Sequence, residues 1–202
     1  MWASKELTRL NIILVQGYFG VTAFVSIILL VVLRARSLKK QGMEAIEFGK
    51  THKRDLFLPP FALFYLYLIT ANAFKLPTIQ GQKLFYSELV AWIGVLTCAF
   101  ALFIFLWALI SFKQSFRVGL VENRSQGLIT TGAFAISRNP IYLSFGIMLV
   151  GQFMIYPSWI LLMYIFAGMI SFHTQVLKEE SFLKEQYGKD FDAYSEKVSR
   201  YF

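Results

Sequence analysis

Long apolar runs alternate with short charged ones along this chain. Four stretches contain no Asp, Glu, Lys or Arg: residues 10–33, 56–74, 89–112 and 139–177. A helix rising about 1.5 Å per residue crosses a hydrocarbon core of about 30 Å with roughly 20 residues. The first three stretches, of 24, 19 and 24 residues, therefore each predict one spanning helix. The fourth, at 39 residues, is nearly twice as long as one crossing needs and must fold back. Pro157-Ser158 stands near its middle, and proline is tolerated in the first turn of a helix but not in its interior. The pattern predicts a helical hairpin, Ile141 to Tyr156 and then Ser158 to Leu177, making five spans; re-entrant helices that turn back before crossing are the alternative, because the first arm is short. Beyond Glu180, Leu183, Tyr187, Phe191, Tyr194 and Val198 recur at intervals of four, four, three and four, the stripe of an amphipathic helix, with Gly188 as an interruption. Such a segment could cap a site or lie along the membrane surface.

Composition agrees with an all-α polytopic membrane protein. The 202 residues are 56% hydrophobic and only 16% charged, against about 25% charged in soluble domains. If five helices alternate across the bilayer, sixteen of the twenty Lys/Arg fall on one side and four (Lys5, Arg9, Lys75, Lys83) on the other. The positive-inside rule then puts the N-terminus outside and the C-terminus in the cytoplasm. The net charge of +8 is thereby topological, facing anionic headgroups rather than nucleic acid. The first apolar run is much longer than a signal-peptide core and has no small-residue cleavage site after it, so it stays as a helix. Gly17, Gly20 and Gly94 allow close helix approach in the first three spans. The spans hold no Asp, Glu, Lys or Arg, which disfavours an ion or proton transporter. Cys98, the lone cysteine, reads as packing, and it forms no metal-ligand spacing with His52 and His173.

Chemistry concentrates after Gly119. Pro140 biases Asn139 away from the α region and suits the first position of a helix, so Arg138 and Asn139 stand at that helix's positive end, where an anion can be held. The hairpin returns Glu179 and Glu180 to the same membrane surface. A ligand with both a carboxylate and an ammonium would fit between the two patches. The plainer reading makes Arg138 a membrane-flanking anchor and lets the glutamates pair with Lys178 or Arg138.

Gln126-Gly127-Leu128-Ile129-Thr130-Thr131-Gly132-Ala133-Phe134, Arg138-Asn139-Pro140-Ile141-Tyr142, Glu179-Glu180, and Tyr187-Gly188 with Tyr194 and Val198 together resemble the C-terminal half of the isoprenylcysteine carboxyl methyltransferase family. Related phospholipid methyltransferases share an Arg-His-Pro-x-Tyr element followed by paired glutamates. The resemblance covers roughly the last 85 residues and implies a small prokaryotic-type membrane methyltransferase. Composition changes character after Phe112, so the chain reads as one domain over 1–202, with a three-helix scaffold in 1–112 and, with the resemblance, a cofactor-binding catalytic region in 113–202. The resemblance implies S-adenosylmethionine as cofactor, bound by Gln126, Gly127, Leu128, Ile129, Phe134, Asn139, Pro140, Ile141, Tyr142 and Glu179, with Glu180 beside them. It also implies a lipid or lipid-linked acceptor entering from the bilayer.

Two positions depart from the family. Asn139 replaces the histidine before proline, and Gln175 stands four residues before Glu179 where prenylcysteine enzymes carry an arginine suited to a substrate carboxylate. A neutral amide lacks the guanidinium's charge-assisted pairing, which puts a prenylcysteine substrate in doubt. His173, seven residues before Glu180 and on roughly the same helical face, could orient a substrate or act as a base. Arg138, Gln175 and His173 are thus the expected catalytic set. The rival readings are an NADPH-dependent membrane reductase of the sterol-reductase type and a non-enzymatic membrane scaffold.

Overall fold

The computed structural model describes residues 2–40, 58–79, 81–112 and 127–202. Its helices are α1 (Trp2–Lys40), α2 (Leu58–Phe74), α3 (Glu88–Ser111), α4 (Pro140–Ile155), α5 (Trp159–Tyr187) and α6 (Lys189–Lys197), with a short 3-10 turn at Gly132–Ala135. Local chemistry sets several boundaries. The Ser87 hydroxyl accepts from Val90 N at 3.4 Å to open α3, and the Ser158 hydroxyl accepts from Leu161 N at 3.2 Å to open α5. Pro140 occupies the first position of α4, where its missing N–H costs nothing. Gly188 ends α5 and begins α6 at φ +52°, a left-handed conformation that suits glycine.

Residues 11–37 of α1, all of α3 and all of α5 are long and apolar enough to cross a membrane. The apolar parts of the other two, Phe61–Phe74 and Pro140–Ile155, are shorter; α4 measures only about 24 Å along its axis. The predicted hairpin is present as α4 and α5 joined through Tyr156–Ser158, with residues 81–86 crossing its turn: Leu84 N donates to Pro157 O at 2.9 Å, and Trp159 N donates to Gln82 O at 3.1 Å. Large side chains point outward, including Leu89, Leu96, Phe103 and Ile110 on α3 and Met163, Phe166 and Ile170 on α5. Exposed apolar surface of this extent befits a lipid solvent. Inside, small residues bring α3 and α4 together. A Cβ on Gly94 would lie 2.7 Å from the Gly151 carbonyl oxygen, and one on Gly151 would lie 2.7 Å from Cys98 Sγ, which explains why the lone cysteine is buried. Buried amides tie α1 in: Gln152 Nε2 donates to Gly20 O at 2.6 Å, and Gln16 Nε2 donates to Glu88 O at 3.3 Å.

Two elements are longer than the charge-free runs predict. α1 extends beyond residues 10–33, and α5 continues past Leu177 to Tyr187, absorbing Leu183 and Tyr187 from the amphipathic stripe. Charges end an apolar stretch without ending a helix, and Lys178–Gln186 is rich in good helix formers. Of the stripe, α6 alone forms a separate amphipathic element among the described residues. Its Phe191 and Tyr194 are buried in the protein, so it caps the bundle with the same face that would otherwise have met the membrane surface.

Candidate active site

The end of the hairpin opposite its turn is assembled from four segments. Residues 127–130 run without regular structure and lead into the 3-10 turn. Gly132 has φ +66°, and a Cβ there would collide with the Ser111 hydroxyl, which instead accepts from Ala133 N at 2.9 Å. This contact pins the turn to the end of α3. Phe134 is buried edge-on against Phe112, with ring centroids 4.6 Å apart, and its carbonyl accepts the Tyr194 hydroxyl of α6 at 2.6 Å. Burial, outweighing the nearby Arg138 guanidinium, pushes the Tyr194 phenol up to about 12, so it remains a proton donor at neutral pH.

Arg138 and Glu180 do not face each other across a ligand-sized gap; they touch. Arg138 Nε donates to Glu180 Oε1 at 3.1 Å and a terminal nitrogen reaches Oε2 at 3.4 Å, while its other terminal nitrogen donates to the carbonyls of Ser195 (2.9 Å) and Val198 (3.1 Å). Glu180 also accepts from Asn139 Nδ2 at 3.0 Å and from Arg200, whose Nε and terminal nitrogen both lie 2.9 Å from Oε2. The chain after α6 is laid along the start of α4 by backbone contacts: Arg138 N donates to Ser199 O at 3.0 Å, and the Ser137 hydroxyl to Arg200 O at 3.2 Å. The plainer sequence reading, a pairing of Arg138 with a glutamate, therefore holds for Glu180.

Glu179 looks elsewhere. Successive helical residues diverge by about 100°, and Glu179 Oε1 accepts from the Tyr142 hydroxyl at 2.5 Å and from Gln175 Nε2 at 3.1 Å. Both donors are neutral and both address the same oxygen. Among the described residues no Lys, Arg or His forms an ion pair with this half-buried carboxylate. Tyr142 leans on Phe172, and Phe172 on Phe145, giving the carboxylate an aromatic flank.

The structure thus gathers Arg138, Asn139 and Glu180 into one cluster and Tyr142, Gln175 and Glu179 into another, side by side on α4 and α5. Pro140 is buried at the helix start and Ile141 is half-buried behind it. Phe134 is committed to Phe112, which leaves its ring edge-on to a protein neighbour. Gly127 is exposed with open space where a side chain would be, and Leu128 and Ile129 are half-buried. Gln126 lies outside the described residues, as does His52. His173 joins neither cluster: its Nδ1 is 3.0 Å from the Tyr201 hydroxyl. Ser137, Arg200, Tyr201 and the carbonyls of Ser195, Val198 and Ser199 were not foreseen. Backbone carbonyls carry no sequence signal, and Arg200 reads in sequence only as another flanking cation.

The family model described as phospholipid methyltransferase matches residues 89–190, half of the chain. No curated protein and no solved structure matches it.

Proposed function

Since this chain belongs to the phospholipid methyltransferase family, we propose that it is an S-adenosylmethionine-dependent enzyme methylating a lipid-linked acceptor at the cytoplasmic membrane surface. The observation that carries the reading is Glu179: a half-buried carboxylate oriented by two neutral donors, with one oxygen committed and the other unanswered by any described cation. A half-buried anion in that condition is stabilised by an incoming cation, and the methionine end of the cofactor presents an ammonium. In this respect the residues fit the group. Bound there, S-adenosylmethionine would supply an activated methyl group on a sulfonium centre.

The chain's own residues divide the work. Glu179 holds the cation, Gln175 and Tyr142 aim Glu179, and the Tyr142 and Phe172 rings offer electron-rich faces to positive charge. The backbone of Gly127, Leu128 and Ile129, with nothing crowding Gly127, suits the rest of the cofactor. Arg138 supports the site from behind, ordering the start of α4 and the chain after α6, because its guanidinium is already committed to Glu180 and two carbonyls. Holding donor and acceptor in line and excluding water provides most of the rate gain.

The same electrostatics favour one acceptor class. Gln175 spends its amide on Glu179, and Arg138 and Arg200 spend their guanidinia on Glu180. With Glu179 answered by the cofactor's ammonium, neither Arg138 nor Arg200 is left to pair with a substrate carboxylate, so a headgroup amine or hydroxyl suits the site better than a prenylcysteine carboxylate; either must lose a proton on methylation, to water at the membrane surface. The excess of Lys/Arg on the loops at this end supports a cytoplasmic placement with five crossings. Family membership favours methyl transfer over the hydride-transfer reading. The test is to supply membranes containing the protein with S-adenosylmethionine labelled in its methyl group. Label should appear in extractable lipid and fall at least tenfold with Glu179→Gln. Label confined to protein, or none above protein-free membranes, would overturn the reading.

A further inference from the structure

The 16 residues of α4 reach about 24 Å, short of a hydrocarbon core of about 30 Å. Neighbouring α3 shows where the shortfall lies. Gly94 is level with the last turn of α4, since a Cβ on it would lie 2.7 Å from Gly151 O and 2.8 Å from Ile155 N. From Gly94 back to Glu88, its first residue, α3 runs on for about 9 Å. Glu88 therefore stands roughly 6–9 Å beyond the end of α4, and Arg138 stands just before the start of α4 at the opposite end. Those two charges are spaced about as far apart as the two faces of a hydrocarbon core. The turn Tyr156–Ser158 lies inside that interval.

Residues 81–86 fill the step above the turn. Leu84 N and Trp159 N donate to Pro157 O and Gln82 O, and the Gln82 side chain is buried beneath. Residues 75–79 are tied back to α2 by Leu76 N, which donates to Ala71 O at 2.9 Å, and by the Tyr67 hydroxyl, which donates to Pro77 O at 2.6 Å. Backbone groups answered within the protein are what a surrounding poor in water demands. Outward the segment is apolar: Leu76, Ile79, Leu84 and Phe85 are each 45–51% exposed, with Trp159 beside them at 49%. Its only charges are Lys75 and Lys83, whose long stems lie along hydrocarbon while the ammonium reaches water. Apolar side chains, an indole and flanking lysines together match the boundary between headgroups and acyl chains.

We propose that residues 75–79 and 81–86 form an interfacial cap whose partner is the headgroup–acyl boundary of the leaflet at the hairpin-turn end. Leu84 and Phe85 enter the acyl region, and Lys75 and Lys83 extend to the lipid phosphates. The short hairpin then crosses with its turn sunk below the surface, and the cap completes the thickness that α4 lacks. This surface lies at the end away from the candidate active site, and the inference is independent of the methyltransferase reading.

The test places the full-length protein in discs of palmitoyl-oleoyl phosphatidylcholine, with a nitroxide on a cysteine introduced as Leu84→Cys, Phe85→Cys or Ile79→Cys. Cys98 stays in place because it is buried, and wild type treated in the same way controls for its labelling. Leu96→Cys on the outward face of α3 and Ser181→Cys on the charged end of α5 give the lipid and water references. Collision with oxygen, which concentrates in lipid, against collision with a water-soluble nickel chelate reads the depth of each label. Labels on the cap should lie about 5–10 Å below the headgroup level, between the two references. Accessibility to nickel equal to that of Ser181→Cys at all three positions would put the segment in water and overturn the proposal. Protection from both oxygen and nickel would mean that a second copy of the chain covers the segment, and would overturn it as well.

Discussion

Arg138 spends four of the five N–H donors that a guanidinium possesses on three neighbours: the Glu180 carboxylate, Ser195 O and Val198 O. Its side chain is only 11% exposed and that of Glu180 only 10%. Removing one member of such a pair leaves a buried charge undercompensated, which costs about 3–5 kcal/mol when no other partner answers it. Arg200 still reaches Glu180, so Arg138→Ala is expected at the lower end, about 3 kcal/mol. The unfolding midpoint in detergent, read by a thiol-reactive dye on Cys98, reports this directly, because the lone cysteine is buried in the fold. Arg138→Lys should recover only part of the loss, since an ammonium on a flexible stem cannot address a carboxylate and two carbonyls in one plane. Gln175→Arg would place a guanidinium beside Glu179 and fill the charge that S-adenosylmethionine is proposed to meet. The expected result is weaker cofactor binding by about tenfold or more in equilibrium titration, on the scale of a hydrogen bond to a charged group.

Between elements, α3 and α4 approach closely, backbone against backbone. A Cβ on Gly94 would come within 2.8 Å of Ile155 N as well as 2.7 Å of Gly151 O, and neither atom can swing aside. Gly94→Ala should therefore push the two helices apart and destabilise by about 1–3 kcal/mol. Gly146 lies on the same helix α4 with nothing within 4 Å of a built Cβ. Gly146→Ala should be neutral or stabilising by up to about 1 kcal/mol, the helix-propensity difference. Equal effects from the two substitutions in the Cys98 unfolding assay would show that glycine content, and not this contact, matters. The contrast also bears on function, because α3 carries Ser111, whose hydroxyl holds the 3-10 turn from which Arg138 and α4 emerge. A shifted α3 moves the site.

Across the whole molecule, the chain after α6 closes onto the beginning of α4, so residues about sixty positions apart become one cluster. Arg200→Ala should loosen this closure without loosening the bundle. Hydrogen exchange should rise over residues 195–202 and stay unchanged in α3 and α4. Parallel increases in α3 would mean that the closing segment supports the entire fold. Much of this architecture was legible in the chain alone. Apolar runs long enough to cross a bilayer, a proline at the hairpin turn, a proline at the start of α4 and a glycine at the α5–α6 junction are local instructions, because solvent and backbone sterics act on each segment by itself. The hairpin also guaranteed that Asn139 and Glu180 would meet at one end. Helix ends defined by charge were misplaced, since a charged residue ends burial and not hydrogen bonding. Which glutamate faces which partner depended on a 100° rotation between neighbours on α5, and on carbonyls presented by a segment with no periodicity. Those are relations between surfaces, set when the helices dock, and so the division of labour between Glu179 and Glu180 belonged to the tertiary structure alone.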